Sequence, residues 1–140
     1  MKNEITVLVV EDGTAAGPKA STMLRGAGMQ VQVVDSCGQA MNKMLEYMDL
    51  IVVDSRVQGC TGKTLEMIKS RITTTRVVVV CPESELSAVR LGGRVRADAY
   101  VSLGCGGVEF GLTMQSVYAG SARAVWVGAK TPRRRFFTAA

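Results

Sequence analysis

The strongest constraint on this chain's fold is a set of apolar, β-branched runs too short to be helices: Ile5–Val10, Leu50–Val53, Val77–Val80 and the Tyr100–Val101 pair. A fifth stretch, Gln30–Val34 (QVQVV), alternates and suits a strand nearer an edge. A strand that does not alternate needs apolar cover on both faces, which a parallel sheet between two layers of helices supplies. The intervening segments have helical spacing. Met23, Leu24 and Ala27 mark the first, which ends at Gly28; Ala40, Met41, Met44, Leu45 and Met48 mark the second; Leu65, Ile68 and Ile72 mark the third. Leu86, Val89 and Arg90 mark a fourth, closed by Gly92-Gly93, and Leu112, Gln115, Ser116 and Val117 a fifth. Five repeats of strand then helix predict an α/β fold with a doubly wound, five-stranded parallel sheet.

With 140 residues, 47% apolar and 21% charged, the chain fills one core and keeps a solvated surface, which excludes intrinsic disorder. No apolar run approaches a membrane span. The N-terminus MKNEITVLVV carries an acid and no small-residue cleavage site, so it reads as a first strand and not a secretory signal; a cytoplasmic protein is expected. Histidine is absent, which removes histidine-based catalysis, metal ligation and pH switching. Cys37, Cys60, Cys81 and Cys105 form no CxxC pair, so four free thiols are expected instead of a zinc or thioredoxin-type site. The eight methionines read as core filler. Residues 1–120 carry 12 basic and 12 acidic side chains, so the whole excess of +5 lies in residues 121–140. We therefore divide the chain into a folded body, 1–120, and a basic tail or start of a linker or output segment, 121–140.

In such sheets the functional crevice lies at the carboxyl ends of the strands. Glu11 and Asp12 follow the first strand, Asp54 ends the third, Cys81 follows the fourth, and Ser102, Leu103 and Gly104 follow the fifth. Three carboxylates from two strands thus converge on one edge and repel unless neutralised. Mg2+ takes such oxygen ligands well. The plainer alternative makes Glu11 and Asp12 turn and helix-cap residues and Asp54 a strand end. Gly62-Lys63-Thr64 has the tail of a phosphate-binding loop, but Val57 stands where that loop needs its first glycine, so we discard it.

The series VLVVEDG, DLIVVDS, Gly62 eight residues past Asp54, RVVVVC and ADAYVSLG resembles the receiver domain of bacterial response regulators (CheY-like) over about residues 4–120. The resemblance implies a (βα)5 flavodoxin-like fold, a metal pair at Glu11 and Asp12, a phosphoacceptor at Asp54, and Mg2+ held by these with the backbone carbonyl of Arg56. It also implies a histidine kinase or other signalling partner, and contacts or homodimerisation through the face of the fourth helix, fifth strand and fifth helix, with Arg90, Arg94, Arg96 and Tyr100 on it. Tyr100 stands at the place of the aromatic switch residue, but as a good strand former in the middle of a strand it reads first as core filler.

Two positions depart from the family. Cys81 stands where receivers have Ser or Thr, and a thiol is a weak donor. Leu103-Gly104 stands where they have a lysine, usually followed by a proline in a cis bond; a trans bond and a reshaped loop are expected here, since a cis non-proline bond costs about 2.5–4 kcal/mol. Arg56 is a candidate substitute cation: it either supplies the missing positive charge or neutralises the carboxylates in place of Mg2+, unless it is a solvated surface arginine. The sequence leaves open a working but altered receiver, a pseudo-receiver serving as an interaction module, and a metal-dependent phosphohydrolase or phosphotransferase. The last lacks a placed general acid or base, and we expect no enzyme.

LTMQSVYAG resembles the last receiver helix of NarL/FixJ-type regulators, and Thr131-Pro132-Arg133 the opening of their DNA-binding output domain, so control of transcription is an expected output. The chain stops at Ala140, short of a helix-turn-helix. Arg133-Arg134-Arg135 with Phe136 and Phe137 only weakly suggests nucleic acid, because adjacent arginines without a scaffold read no sequence.

Overall fold

The computed structural model describes residues 5–14, 17, 19–43, 48–57, 66–68, 70, 75–85, 97–119 and 125–127. The strands are β1 (Thr6–Val10), β2 (Gln30–Val34), β3 (Leu50–Asp54), β4 (Arg76–Cys81), β5 (Ala99–Ser102) and β6 (Val125–Val127). They form one sheet in the order β2-β1-β3-β4-β5-β6, with every pairing parallel. The helices are α1 (Ala20–Gly26), α2 (Cys37–Lys43) and α3 (Gly107–Tyr118), and residues 66–68 are also helical.

The five strands expected from the apolar runs thus form a parallel doubly wound sheet. A sixth strand follows α3 and pairs along the outer edge of β5, with Tyr100 opposite Trp126. It lies within the segment read from sequence as tail. The third predicted helix lies mostly, and the fourth wholly, outside the described residues, as do Gly62 and residues 128–140.

The continuous apolar strands serve both faces, as their lack of alternation requires. Val7, Val9, Leu50, Val52, Val78, Val80, Ala99 and Val101 pack with Leu24 of α1 and with Phe110, Met114 and Val117 of α3. Leu8, Val10, Ile51, Val53, Val77, Val79 and Tyr100 pack on the opposite face with Cys37 and Ala40 of α2. The period of two sends neighbouring side chains to opposite layers. Met48, read as a helical position, instead lies just before β3, buried in this second layer.

Two aspartates set the register. Asp49 Oδ2 accepts the Thr6 N–H at 2.8 Å, and Asp98 Oδ2 accepts the Val77 N–H at 2.8 Å. Each therefore accepts an N–H at or next to the start of the strand beside its own. Gly28 ends α1 with φ 85°, a left-handed conformation that favours glycine, and its N–H donates to Arg25 O. Gly111 of α3 lies so near α1 that a Cβ there would stand 2.9 Å from Ala27 Cβ.

The expectation of four free thiols is corrected: Cys37 is disulfide-bonded, its partner lying outside the described residues, while Cys81 and Cys105 are free.

Candidate functional site

Strands β1, β3, β4 and β5 bring Glu11, Asp12, Asp54, Cys81 and Leu103 to one end of the sheet, and each side chain there has a definite engagement. Glu11 is buried; its Oε1 accepts the Ser21 N–H at 3.1 Å and its Oε2 accepts the Ser21 hydroxyl. Lys19, the residue before α1, makes no capping bond, so Glu11 satisfies a first-turn donor of the helix from the end of β1. Asp12 is largely taken up by its own turn, its Oδ1 accepting the Thr14 N–H at 2.9 Å and the Thr14 hydroxyl at 2.7 Å. These bonds, the backbone one first, hold its carboxyl below the ordinary aspartate range.

Asp54 is buried at the end of β3 and faces Arg56. The Arg56 backbone N–H donates to Asp54 Oδ1 at 2.9 Å, Arg56 Nε donates to Oδ1 at 3.0 Å, and Nη2 donates to Oδ2 at 2.8 Å. The side chains are 21% and 2% exposed respectively, so Arg56 is no solvated surface arginine. Its bonds to Asp54 raise the guanidinium pKa, and the charges of Glu85 and Glu11 act in the same direction.

Cys81 is fully buried. Burial, then the negative charges of Glu85, Asp54 and Glu83, push its thiol up to about 12. Such a thiol is no nucleophile at neutral pH. In the native protein at pH 8, Cys81 should alkylate roughly a thousandfold more slowly than an ordinary thiol of pKa near 8.5. Peptide-resolved mass spectrometry after timed iodoacetamide treatment measures this, and labelling at the unfolded-state rate would contradict the buried placement.

Next to Cys81 across the β4–β5 ladder, Ser102 accepts the Gly104 N–H at 3.0 Å and starts a short 3-10 turn, Leu103–Cys105. The Leu103–Gly104 peptide is trans, since no described peptide bond is cis. Leu103 is 3% exposed and belongs to the layer with Val7, Val9 and Phe110. Its side chain is a core residue, not a gap in the crevice awaiting a cation.

This arrangement does not fit Mg2+. That ion takes near-octahedral oxygen ligands at about 2.0–2.1 Å. Here both Glu11 oxygens serve Ser21, one Asp12 oxygen serves Thr14 twice, and both Asp54 oxygens serve Arg56. Among the described residues no three acidic or thiol side chains are grouped to hold a metal ion. Glu11, Asp12, Asp54 and Arg56, the expected ligand set, thus share one edge of the sheet with their carboxylates bonded to protein donors.

No family model matches the chain, and no curated protein matches it in sequence. Solved structures match it closely in fold. A LuxR family DNA-binding response regulator from Silicibacter pomeroyi superposes with a TM-score of 0.64 at 20% identity, covering 91% of this chain and 99% of that one. A chemotaxis response regulator of Vibrio cholerae gives 0.65 at 18% identity, covering 82% and 99%. A putative response regulator from Chloroflexus aurantiacus gives 0.67 at 19%, covering 84% and 99%. The chain has the CheY-like receiver fold.

Within that receiver fold, Tyr100 is 6% exposed, and its hydroxyl accepts the Ala97 N–H at 3.1 Å. Tyr100 is therefore core, which corrects its assignment to the contact face; Arg90, Arg94 and Arg96 lie outside the described residues. β6 covers the outer edge of β5, so a partner approaching this side meets β6 first. Ser21 and Thr14, which occupy the two leading acids, were not singled out in the sequence. A serine in the first turn after a strand-end acid was the available signal. Glu83 and Glu85, in the short 3-10 turn after β4, were not singled out in the sequence either.

Proposed function

We propose that this chain is a signalling module of the two-component type that works as a protein-interaction domain, a pseudo-receiver whose Asp54 does not take a phosphoryl group in its resting state. The observation that carries the reading is the closure of Asp54, both of whose oxygens accept charge-assisted bonds from Arg56. A nucleophilic carboxylate must present a free oxygen lone pair to an incoming phosphorus, and the guanidinium stands on that side chain. The switch positions support the same reading. Cys81 is a buried thiol, and Leu103 is packed in the core, so neither offers the strong donor or the charge with which a phosphoryl group would be sensed. The partner is a histidine kinase or another signalling protein, and the output it governs, transcription included, is reached through surface contacts.

Incubation with acetyl phosphate and Mg2+, followed by intact-protein mass, tests this. We expect no phosphoryl adduct, and no change in the fluorescence of the single tryptophan, Trp126, on adding a beryllofluoride mimic. An adduct mapped to Asp54 would overturn the reading and restore Asp54 as a phosphoacceptor.

A further inference from the structure

We infer that β6 is an exchangeable strand: the outer edge of β5 takes the Val125–Val127 segment of a second copy of this chain, so that two molecules dimerise by strand exchange. The ground for this is the hand of the connection that brings β6 to its place. Helices α1 and α3 lie on one face of the sheet, with Leu24, Phe110, Met114 and Val117 in one layer, while α2 and Ile68 lie on the other face. From β1 the chain moves through α1 to β2, one way along the sheet. From β2 through α2 to β3, and from β3 past Ile68 to β4, it moves the other way on the other face. Reversing both direction and face preserves the hand, so these three crossovers agree. From β5 through α3 to β6 the direction is that of the later crossovers but the face is that of α1. Among the crossovers whose helices are described, this one has the opposite hand.

About 98% of parallel crossovers within one sheet are right-handed, because strand twist and helix packing favour that path. The exception is unfavourable for a chain that closes it on itself. Laid on a second molecule, β6 closes no crossover, and the constraint disappears. The strand contacts meanwhile balance. Without a neighbour, the outer N–H and C=O groups of β5 form an open edge that draws a strand. β6 covers that edge in parallel register, with Ala99, Tyr100 and Val101 opposite Val125, Trp126 and Val127. The same residues pair in the same way whichever copy supplies them. What separates the two forms is the hand of the connection, which favours exchange, and the freedom lost on association, which opposes it. The joining sequence, Gly120-Ser121-Ala122-Arg123-Ala124, is short, and short connections on an unfavourable path favour exchange. A dimer of this kind differs from a face-to-face contact through the neighbouring helices, which would leave each β6 on its own chain.

The test uses Ala99→Cys and Val125→Cys, which stand opposite each other in the β5–β6 ladder, made as separate full-length chains. Circular dichroism confirms folding, and Val101→Cys with Val127→Cys is the second pair if the first folds poorly. The two chains are mixed, incubated at high concentration and mildly oxidised, and linked peptides are mapped by mass spectrometry. We expect a covalent dimer joining position 99 of one chain to position 125 of the other. At low occupancy the ratio of dimer to monomer should rise in proportion to protein concentration, by about tenfold for a tenfold increase. In the otherwise unaltered chain, a Gly/Ser insertion after Ser121 should lower the dimer fraction seen by light scattering. A mixture of folded chains that yields no link between chains would overturn the inference. So would a dimer whose 99–125 links, in Ala99→Cys/Val125→Cys, all lie within single chains. None of these readouts involves Asp54, so failure here is distinct from failure of the pseudo-receiver reading.

Discussion

Leu103→Lys should lower stability by about 2–5 kcal/mol, the range for losing a large buried aliphatic side chain, and should not return a working cation to the crevice. From sequence alone the substitution looks like a repair, because receivers carry lysine at this position. The structure gives Leu103 another task. It is 3% exposed and packs with Val7, Val9 and Phe110 in the layer beneath α1 and α3. A lysine there either buries its ammonium among these residues or turns out and leaves a cavity behind. Both outcomes destabilise. Leu103→Met, similar in volume, should lose less than about 1.5 kcal/mol and serves as the control. Urea denaturation of the three proteins decides the matter, and a lysine variant as stable as wild type would mean the side chain belongs to the crevice after all.

Phe110→Ala is the second large effect, with an expected loss of about 3–5 kcal/mol. Phe110 is fully buried in the first turns of α3, where its N–H donates to Gly106 O at 2.9 Å. Its ring lies in the cluster that joins α3 to α1 and to the sheet. Those neighbours are held by the sheet on one side and by the close approach of Gly111 to Ala27 on the other, so the cavity cannot collapse easily. The midpoint of urea unfolding should fall while its slope stays unchanged, because the surface exposed on unfolding hardly differs. A loss below about 1 kcal/mol would mean that α3 is not seated on the sheet as described. The crevice lies beyond this layer, so the reactivity of Cys81 in the folded variant should stay low.

Much of the fold was legible because the signals were local and redundant. Leu50–Val53 and Val77–Val80 are too short for helices and too uniformly apolar for a half-exposed sheet, which leaves few alternatives to a strand covered on both faces. Strand ends followed from the same runs, and with them the placement of Glu11, Asp12, Asp54, Cys81 and Leu103 at one edge. β6 was missed because three residues, Val125–Val127, carry too little pattern, and pairing beside β5 rests on a long-range contact after α3. Tyr100 was legible as a strand former and as core filler, and what the sequence could not name was the partner of its hydroxyl, here the Ala97 N–H.

The sequence by itself determined the order of strands, the parallel sheet and the gathering of acids at its carboxyl edge, because periodicity and strand length are properties of neighbouring residues. Only the tertiary structure decided what those acids do. Glu11 turns to Ser21 and Asp12 to Thr14, while Asp54 is closed by Arg56. Each choice depends on distances of a few ångströms and on which donor is already within reach when the carboxylate loses water. Hydrogen bonding and charge pairing are short-ranged and directional, and residue spacing along a chain does not specify them.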